Sequence, residues 1–251
     1  MSREAVAESL AASEHAVALT GAGTSTASGV PDFRSDDGLW REFDQSDITI
    51  GRFERDPGGF WRDWTAIHAD LFQDDPVEPN PAHDALADLE RAGILNALIT
   101  QNVDGLHEAA GSESIIRLHG TGATASCRNC GRTVETTAAV EGLDEAEFPP
   151  RCEDCDGVLK PDTVLFGEQM PLGAMREARR LAEETDVLLA VGSSLTVDPA
   201  ASLPRMAGRG NATLVVVNLD DTPVDPLADY VLNEPVEEAL PSIAAQAIDG
   251  E

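Results

Sequence analysis

A series of short apolar runs, each followed at once by glycine or small polar residues, constrains this chain more than any other feature. The runs are Ala16–Thr20, Ile94–Thr100, Ile115–Leu118, Thr163–Phe166, Val187–Val191 and Thr213–Asn218. They are continuous rather than alternating, as expected of parallel strands buried on both faces of a sheet. Helical patterns stand between them: Pro81–Ala92, which opens on proline and stops before Gly93, then Met175–Thr185, Pro199–Ala207 and Val236–Ala247. Strands and helices in alternation predict an α/β fold with an open, doubly covered sheet.

Two segments interrupt that rhythm. Residues 36–75 hold Trp40, Trp61 and Trp64 together with Phe43, Phe53, Phe60 and Phe72, and predict a helical module with its own aromatic core. Residues 121–160 hold every cysteine of the chain, Cys127, Cys130, Cys152 and Cys155, as two C-x-x-C pairs. Knuckles of that spacing converge four thiolates on one zinc ion. Because four thiolates complete the tetrahedron, the ion is expected to be structural. The chain therefore divides into a discontinuous nucleotide-binding domain, 1–35, 76–120 and 161–251, and a small domain made of the helical module 36–75 and the zinc module 121–160.

The formal net charge is −29, and Lys160 is the only lysine among 17 cationic residues. Acids spread over the whole chain repel nucleic acid phosphates, so no direct nucleic-acid partner is expected. They also repel one another unless counter-ions screen them, which suggests adaptation to a salt-rich cytoplasm, as in a halophilic archaeon. No run approaches the length of a membrane span. The N-terminus, an amphipathic mix with acids, does not read as a signal peptide. A cytoplasmic location is expected.

Ligands of open α/β sheets bind beyond the carboxyl ends of the strands, so the residues after each run are the candidate site. Gly21-Ala-Gly-Thr-Ser25 begins like a dinucleotide fingerprint, but Thr26 stands where a third glycine belongs, and the stretch runs on through Gly29 to Pro31-Asp32-Phe33-Arg34. This loop and Gly192-Ser193-Ser194 can offer backbone N–H groups to phosphates. Asn218 and Asp220 can reach ribose hydroxyls. A kinase-type phosphate loop needs a lysine after its glycines, and Lys160 follows none.

The stretches GAGTSTASGVPDFRS, TQNVDGLH, LHG, the two C-x-x-C pairs, FGE and GSSLTVDPA occur in the order found in sirtuins, and over roughly residues 15 to 240 the chain resembles that family. The resemblance implies a Rossmann-like large domain and an inserted small domain. It also implies NAD as co-substrate and deacylation of lysine in proteins or peptides. In that chemistry the acyl oxygen attacks C1′ of the nicotinamide ribose, nicotinamide leaves, a base-activated ribose hydroxyl then attacks the acyl carbon, and water completes the step. The products are nicotinamide, free lysine and 2′-O-acetyl-ADP-ribose. By the same resemblance His119 is the general base, with Gln101, Asn102 and Asp104 as further catalytic residues.

Gly21, Ala22, Gly23, Ser25, Thr26, Asp32, Phe33, Arg34, Val103, Gly192, Ser193, Ser194, Asn218 and Val236 are expected to contact the cofactor, as are Gln101, Asn102 and Asp104. Val164, Phe166, Gly167, Glu168, Leu195 and Val197 are expected to bind the acyl-lysine peptide by strand addition. His107 is expected to cap the following helix, and His15, His68 and His83 to serve surface or packing. Sirtuins that prefer acidic acyl groups carry a Tyr-x-x-Arg pair in the helical module. Tyr230 is the only tyrosine and lies outside that module, so neutral acyl groups, acetyl first, are expected. Protein ADP-ribosylation from the same NAD site is the alternative activity.

If the acid excess is salt adaptation, lowering salt from molar to ~0.1 M should lower the thermal midpoint. Unchanged unfolding curves across that range would contradict it.

Overall fold

The computed structural model describes residues 2–32, 44–72 and 77–250, without the side chains of 69–72 and 145. A six-stranded sheet, parallel throughout, forms the larger part. Its strands are β1 (Ala16–Thr20), β2 (Leu95–Thr100), β3 (Ile115–Arg117), β7 (Val187–Val191), β8 (Thr213–Val217) and β9 (Tyr230–Leu232), in the order β3-β2-β1-β7-β8-β9. The order reverses between β1 and β7, so the crevice of this Rossmann-type sheet opens where those two strands end.

Successive residues of each central strand face opposite cores, which is why the apolar runs are unbroken. Ala16 and Ala18 of β1, with Val187, Leu189 and Val191 of β7, join the core beneath α1 (Arg3–Ala11), α4 (Pro81–Arg91) and α9 (Val236–Asp249). Val17, Leu19, Leu188 and Ala190 join the core beneath α7 (Leu172–Glu184) and α8 (Ser202–Ala207). The expected helices are present, with α7 starting earlier, α9 ending later and α8 shortened at its N-terminal end. β9 was not legible as an apolar run; three residues at a sheet edge carry little pattern.

One expected strand is corrected. Thr163–Phe166 is not a parallel strand of the large sheet. Thr163 ends β6 (Leu159–Thr163), which with β4 (Gly120–Cys127) and β5 (Thr133–Glu135) forms a separate antiparallel sheet in the order β5-β4-β6. Val164–Phe166 continues from it as an extended segment. Phe166 there makes a single parallel bridge to Thr49, just before α2 (Ile50–Arg55). The apolar run was real, but its burial comes from the small domain.

The helical module does not have a core to itself either. Phe53, Phe60, Trp61 and Trp64 of α2 and α3 (Pro57–Phe72) pack with Ala125, Cys127, Cys152, Leu159 and Leu165. Phe53 and Phe60 meet edge to face at 5.2 Å, as do Trp61 and Trp64 at 5.3 Å. The buried Trp61 indole donates from Nε1 to the Leu159 carbonyl at 2.8 Å. Aromatic helices and cysteine knuckles are thus one packed unit. Trp40, Phe43 and the Phe72 side chain lie outside what is described.

At the crevice, the turns after β1 and β7 touch backbone to backbone. Gly23 N–H donates to the Gly192 carbonyl at 2.8 Å, and Gly21 N–H to Val191 at 3.1 Å. A Cβ on Gly192 would sit 2.4 Å from the Thr24 nitrogen, and Gly192 has φ +56°. Gly192→Ala is therefore expected to cost roughly 1–3 kcal/mol or more, since strained backbone and overpacking combine. Thermal unfolding would register this as a fall of several degrees; a variant as stable as the parent would mean the loops do not meet this closely.

Candidate active site

Two glycine turns form the floor of the crevice. Gly21 leads into a short turn, Ala22–Thr24, and then Thr26–Ser28. Gly21 and Gly23 are bare because Gly192 occupies their Cβ space: the would-be atoms fall 2.8 and 2.9 Å from its carbonyl oxygen. The close approach that these glycines permit is thus to the β7 turn. Thr26 is exposed, with its hydroxyl donating to Gly23 O at 3.1 Å.

Ser25 is buried and joins several parts of the site. Its hydroxyl donates to Asp104 Oδ2 at 2.7 Å and accepts from Asn102 Nδ2 at 3.1 Å. His83 Nε2 approaches the same oxygen at 3.4 Å. His83 Nδ1 accepts from the Asn80 N–H at 3.3 Å, which leaves Nε2 protonated and aimed at Ser25 in the neutral ring. Asn102 Nδ2 also donates to Gly21 O at 3.0 Å, tying the β2 loop to the β1 loop. Asp104 turns its second oxygen to Leu106 N–H at 2.9 Å, at the start of α5 (Leu106–Ala110). Gln101 spans to the β7 loop through Nε2 to Ser193 Oγ at 2.9 Å. Gln101, Asn102, Asp104, Ser25 and Ser193 therefore meet across three strand ends, and Val103 lies half-buried among them.

His119 follows β3 and stands half-buried at the edge of this cluster. Its Nδ1 lies 2.8 Å from the Gln101 carbonyl. A carbonyl only accepts, so Nδ1 carries the proton and Nε2 keeps its lone pair. Desolvation holds the His119 pKa below its ordinary value, against the smaller opposing pull of the Gln101 carbonyl.

His107 is not a cap, as the sequence suggested; it lies inside α5, fully buried, and Gly105 takes the capping position. Its Nε2 lies 2.9 Å from Thr20 Oγ1, which itself donates to Thr100 Oγ1 at 2.9 Å. The His83 and His107 rings stand 4.8 Å apart. Burial pushes His83 down to about 4 and His107 to about 3, so both are neutral at pH 7. His83, expected only to pack, thus supports Ser25. The signal that could have found it is Asn80-Pro81-Ala82-His83: a capping asparagine and first-turn proline put the histidine on the inward turn. Asn80 also donates to Thr24 O at 2.8 Å and Ser28 Oγ at 3.0 Å, anchoring the glycine loop.

The remaining expected residues scatter around the rim. Ser194 is exposed, its hydroxyl 3.0 Å from Thr196 Oγ1. Asn218 closes on its own turn through Nδ2 to Asp220 O at 2.7 Å. The Val236 side chain lies in the core, so only its backbone, at the start of α9, can face a ligand. Leu195 is likewise buried, with φ +50°, and Val197 is half-buried. Ala22 and Asp32 are half-buried; Phe33 and Arg34 lie outside the described residues. Val164, Phe166, Gly167 and Glu168 form one segment beside His119, with Val164 N–H donating to His119 O at 2.8 Å.

The four cysteines converge, all Sγ atoms lying within 4.8 Å of one another. Cys127 and Cys155 approach to 3.5 Å, Cys130 and Cys152 to 3.7 Å. A Cβ on Gly157 would fall 2.7 Å from Cys127 Sγ, so that glycine keeps the cradle open. Four sulfurs, with no carboxylate or histidine in the cluster, fit a structural zinc ion and leave no open coordination position.

A profile of the Sir2 family matches residues 21–199. An NAD-dependent protein deacetylase of Haloarcula marismortui is 51% identical over 241 residues, which covers 96% of this chain and 92% of that protein. A Sir2 homolog solved with NAD is 37% identical, with a TM-score of 0.87 and coverage of 98% and 94% of the two chains. A Sir2 protein solved with a deacetylated p53 peptide and an acetyl ADP-ribose has a TM-score of 0.90 at 36% identity, covering 99% of each chain. The turns that meet at Gly192, the Ser25 cluster and the four-sulfur cradle all fall inside the matched region, and the chain belongs to the Sir2 family.

Proposed function

We infer that this protein is an NAD-dependent protein-lysine deacetylase, converting acetyl-lysine to lysine with release of nicotinamide and 2′-O-acetyl-ADP-ribose. The observation that carries the assignment is the His119 imidazole. It is held by Nδ1 on the Gln101 carbonyl at 2.8 Å, and among the described residues its basic nitrogen has no hydrogen-bond partner, beside a cluster that joins three strand ends.

The NAD co-substrate supplies a leaving group and an electrophilic C1′. The chain's own task is to position and to move protons. Most N–H groups of the two glycine turns bond within the fold; among the described residues those of Ala22, Ser193 and Ser194 make no backbone bond, and these, with the short side chains of the turns, are offered to the phosphates. Asn102 and Asp104, fixed through Ser25, hold the nicotinamide and its ribose. Asp32, at the described end of the same loop, supports the nicotinamide site. Gln101 sets both the His119 tautomer and, through Ser193, the spacing of the two glycine turns. After nicotinamide departs, His119 Nε2 accepts a proton from a ribose hydroxyl, that oxygen attacks the acyl carbon, and addition of water there releases the lysine amine and leaves the acetyl ester on the ribose. Asn218 and the start of α9 at Val236 face the adenosine half. Zinc keeps the cysteine knuckles, and the aromatic core packed on them, in place without entering the reaction.

The acyl pocket is read as neutral: Tyr230 lies on the edge strand β9, with no counterpart in the helical module. Acetyl-lysine should be turned over faster than succinyl-lysine. The net charge of −29 and single lysine support operation in the salt-rich interior of a cell.

Replacing His119 by alanine is expected to lower acetyl-peptide turnover by about two to four orders of magnitude. NAD binding, followed by calorimetry, should be little altered. Because its pKa is held below 6.5, the base remains unprotonated as pH falls through that value. The acid limb of kcat/KM against pH should therefore lie below 6.5. A limb above pH 7, or a fully active alanine variant, would overturn the assignment of His119.

A further inference from the structure

The chain's only lysine lies inside the small domain, next to the segment that would receive the peptide. Lys160 is 7% exposed. Its ammonium makes three contacts, each at 2.9 Å: to the carbonyls of Pro161 and Thr163 and to Glu168 Oε2. The same Glu168 oxygen accepts from Leu165 N–H at 3.0 Å, and Glu168 N–H returns to Leu165 O at 2.9 Å. Residues 160–168 are thereby gathered around one buried ammonium. Glu168 does not point at an incoming peptide; it turns back into its own loop.

The segment inside this ring is tied on its flanks. Val164 N–H donates to the carbonyl of His119, and Phe166 exchanges bonds with Ile48 and Ile50 at 3.1 and 3.0 Å. Gly120, directly after His119, lies so near this strand that a Cβ would fall 1.9 Å from Asp162 O. Among the described residues, neither the N–H nor the C=O of Gly167 makes a bond, and Gly167 is exposed. It is therefore the part of the segment open to strand addition. That backbone is held by Lys160 at the Pro161 and Thr163 carbonyls and by Glu168 at the Leu165 N–H.

We propose that Lys160 and Glu168 are positioning residues for the acyl-peptide: their ion pair, between a buried ammonium and a half-buried carboxylate, fixes the Val164–Glu168 backbone that an acetyl-lysine strand must pair with, in register with His119. The proposal rests on the deacetylase assignment. It predicts a selective loss. Peptide affinity depends on the pair, whereas the NAD crevice, built on the glycine turns and Ser25, does not.

The test compares the full-length protein with Lys160→Met, Glu168→Ala and Glu168→Gln, measuring KM for an acetyl-lysine peptide and for NAD. Removing a hydrogen bond to a charged group in a buried setting should raise the peptide KM by about tenfold or more in Lys160→Met and Glu168→Ala. The NAD KM should stay within about twofold. Glutamine keeps one oxygen able to accept from both Leu165 and Lys160, so Glu168→Gln should recover most of the loss. A general structural role would instead move both KM values and give no rescue. Unchanged peptide KM in Glu168→Ala, or parallel rises in both constants, would overturn the proposal. If Lys160→Met does not fold, the Glu168 pair of variants decides alone. Failure of the parent protein to turn over the peptide would refute the deacetylase assignment itself, a separate outcome.

Discussion

Everything in the crevice depends on two backbone turns being allowed to touch. Gly23 donates to Gly192 at 2.8 Å, and neither partner could carry a side chain without displacing the other. This contact sits where the strand order reverses, between β1 and β7. It brings the β1 and β7 loops together, and Gln101 and Asn102 then bridge from β2 to both. A site spread over three loops gains rigidity because each loop is hydrogen-bonded to the next, with the sheet fixing their roots.

The small domain imposes a second constraint. Its aromatic helices and its cysteine knuckles share one core, so the metal cradle and the helical module are not independent additions. The segment from Val164 to Glu168 leaves that core and passes beside His119. This segment, which follows β6 of the small sheet, and His119, which follows β3 of the large one, are joined by Val164 N–H donating to His119 O.

Much of this was legible in the sequence, because the signals were local. Continuous apolar runs with glycine after them foretell buried parallel strands and a crevice, and two C-x-x-C pairs foretell a four-sulfur site; the structure places both accordingly. What escaped depended on tertiary context. Thr163–Phe166 looks like any other apolar run, but its burial comes from the small domain, so it is no strand of the large sheet. The close packing of Gly21 and Gly23 against Gly192 was likewise hidden, because Gly192 lies in another loop. The sequence could place His83 and His107 at helix starts but not name what they support. Their partners, Ser25 and Thr20, lie 58 and 87 residues away in sequence.

The burial of Lys160 has a consequence for how such a protein relates to its own chemistry. With its only lysine enclosed and ion-paired, the folded surface displays no side-chain amine. A protein whose reaction ends at a lysine nitrogen thus offers almost no nitrogen of that kind to acylating metabolites in its surroundings.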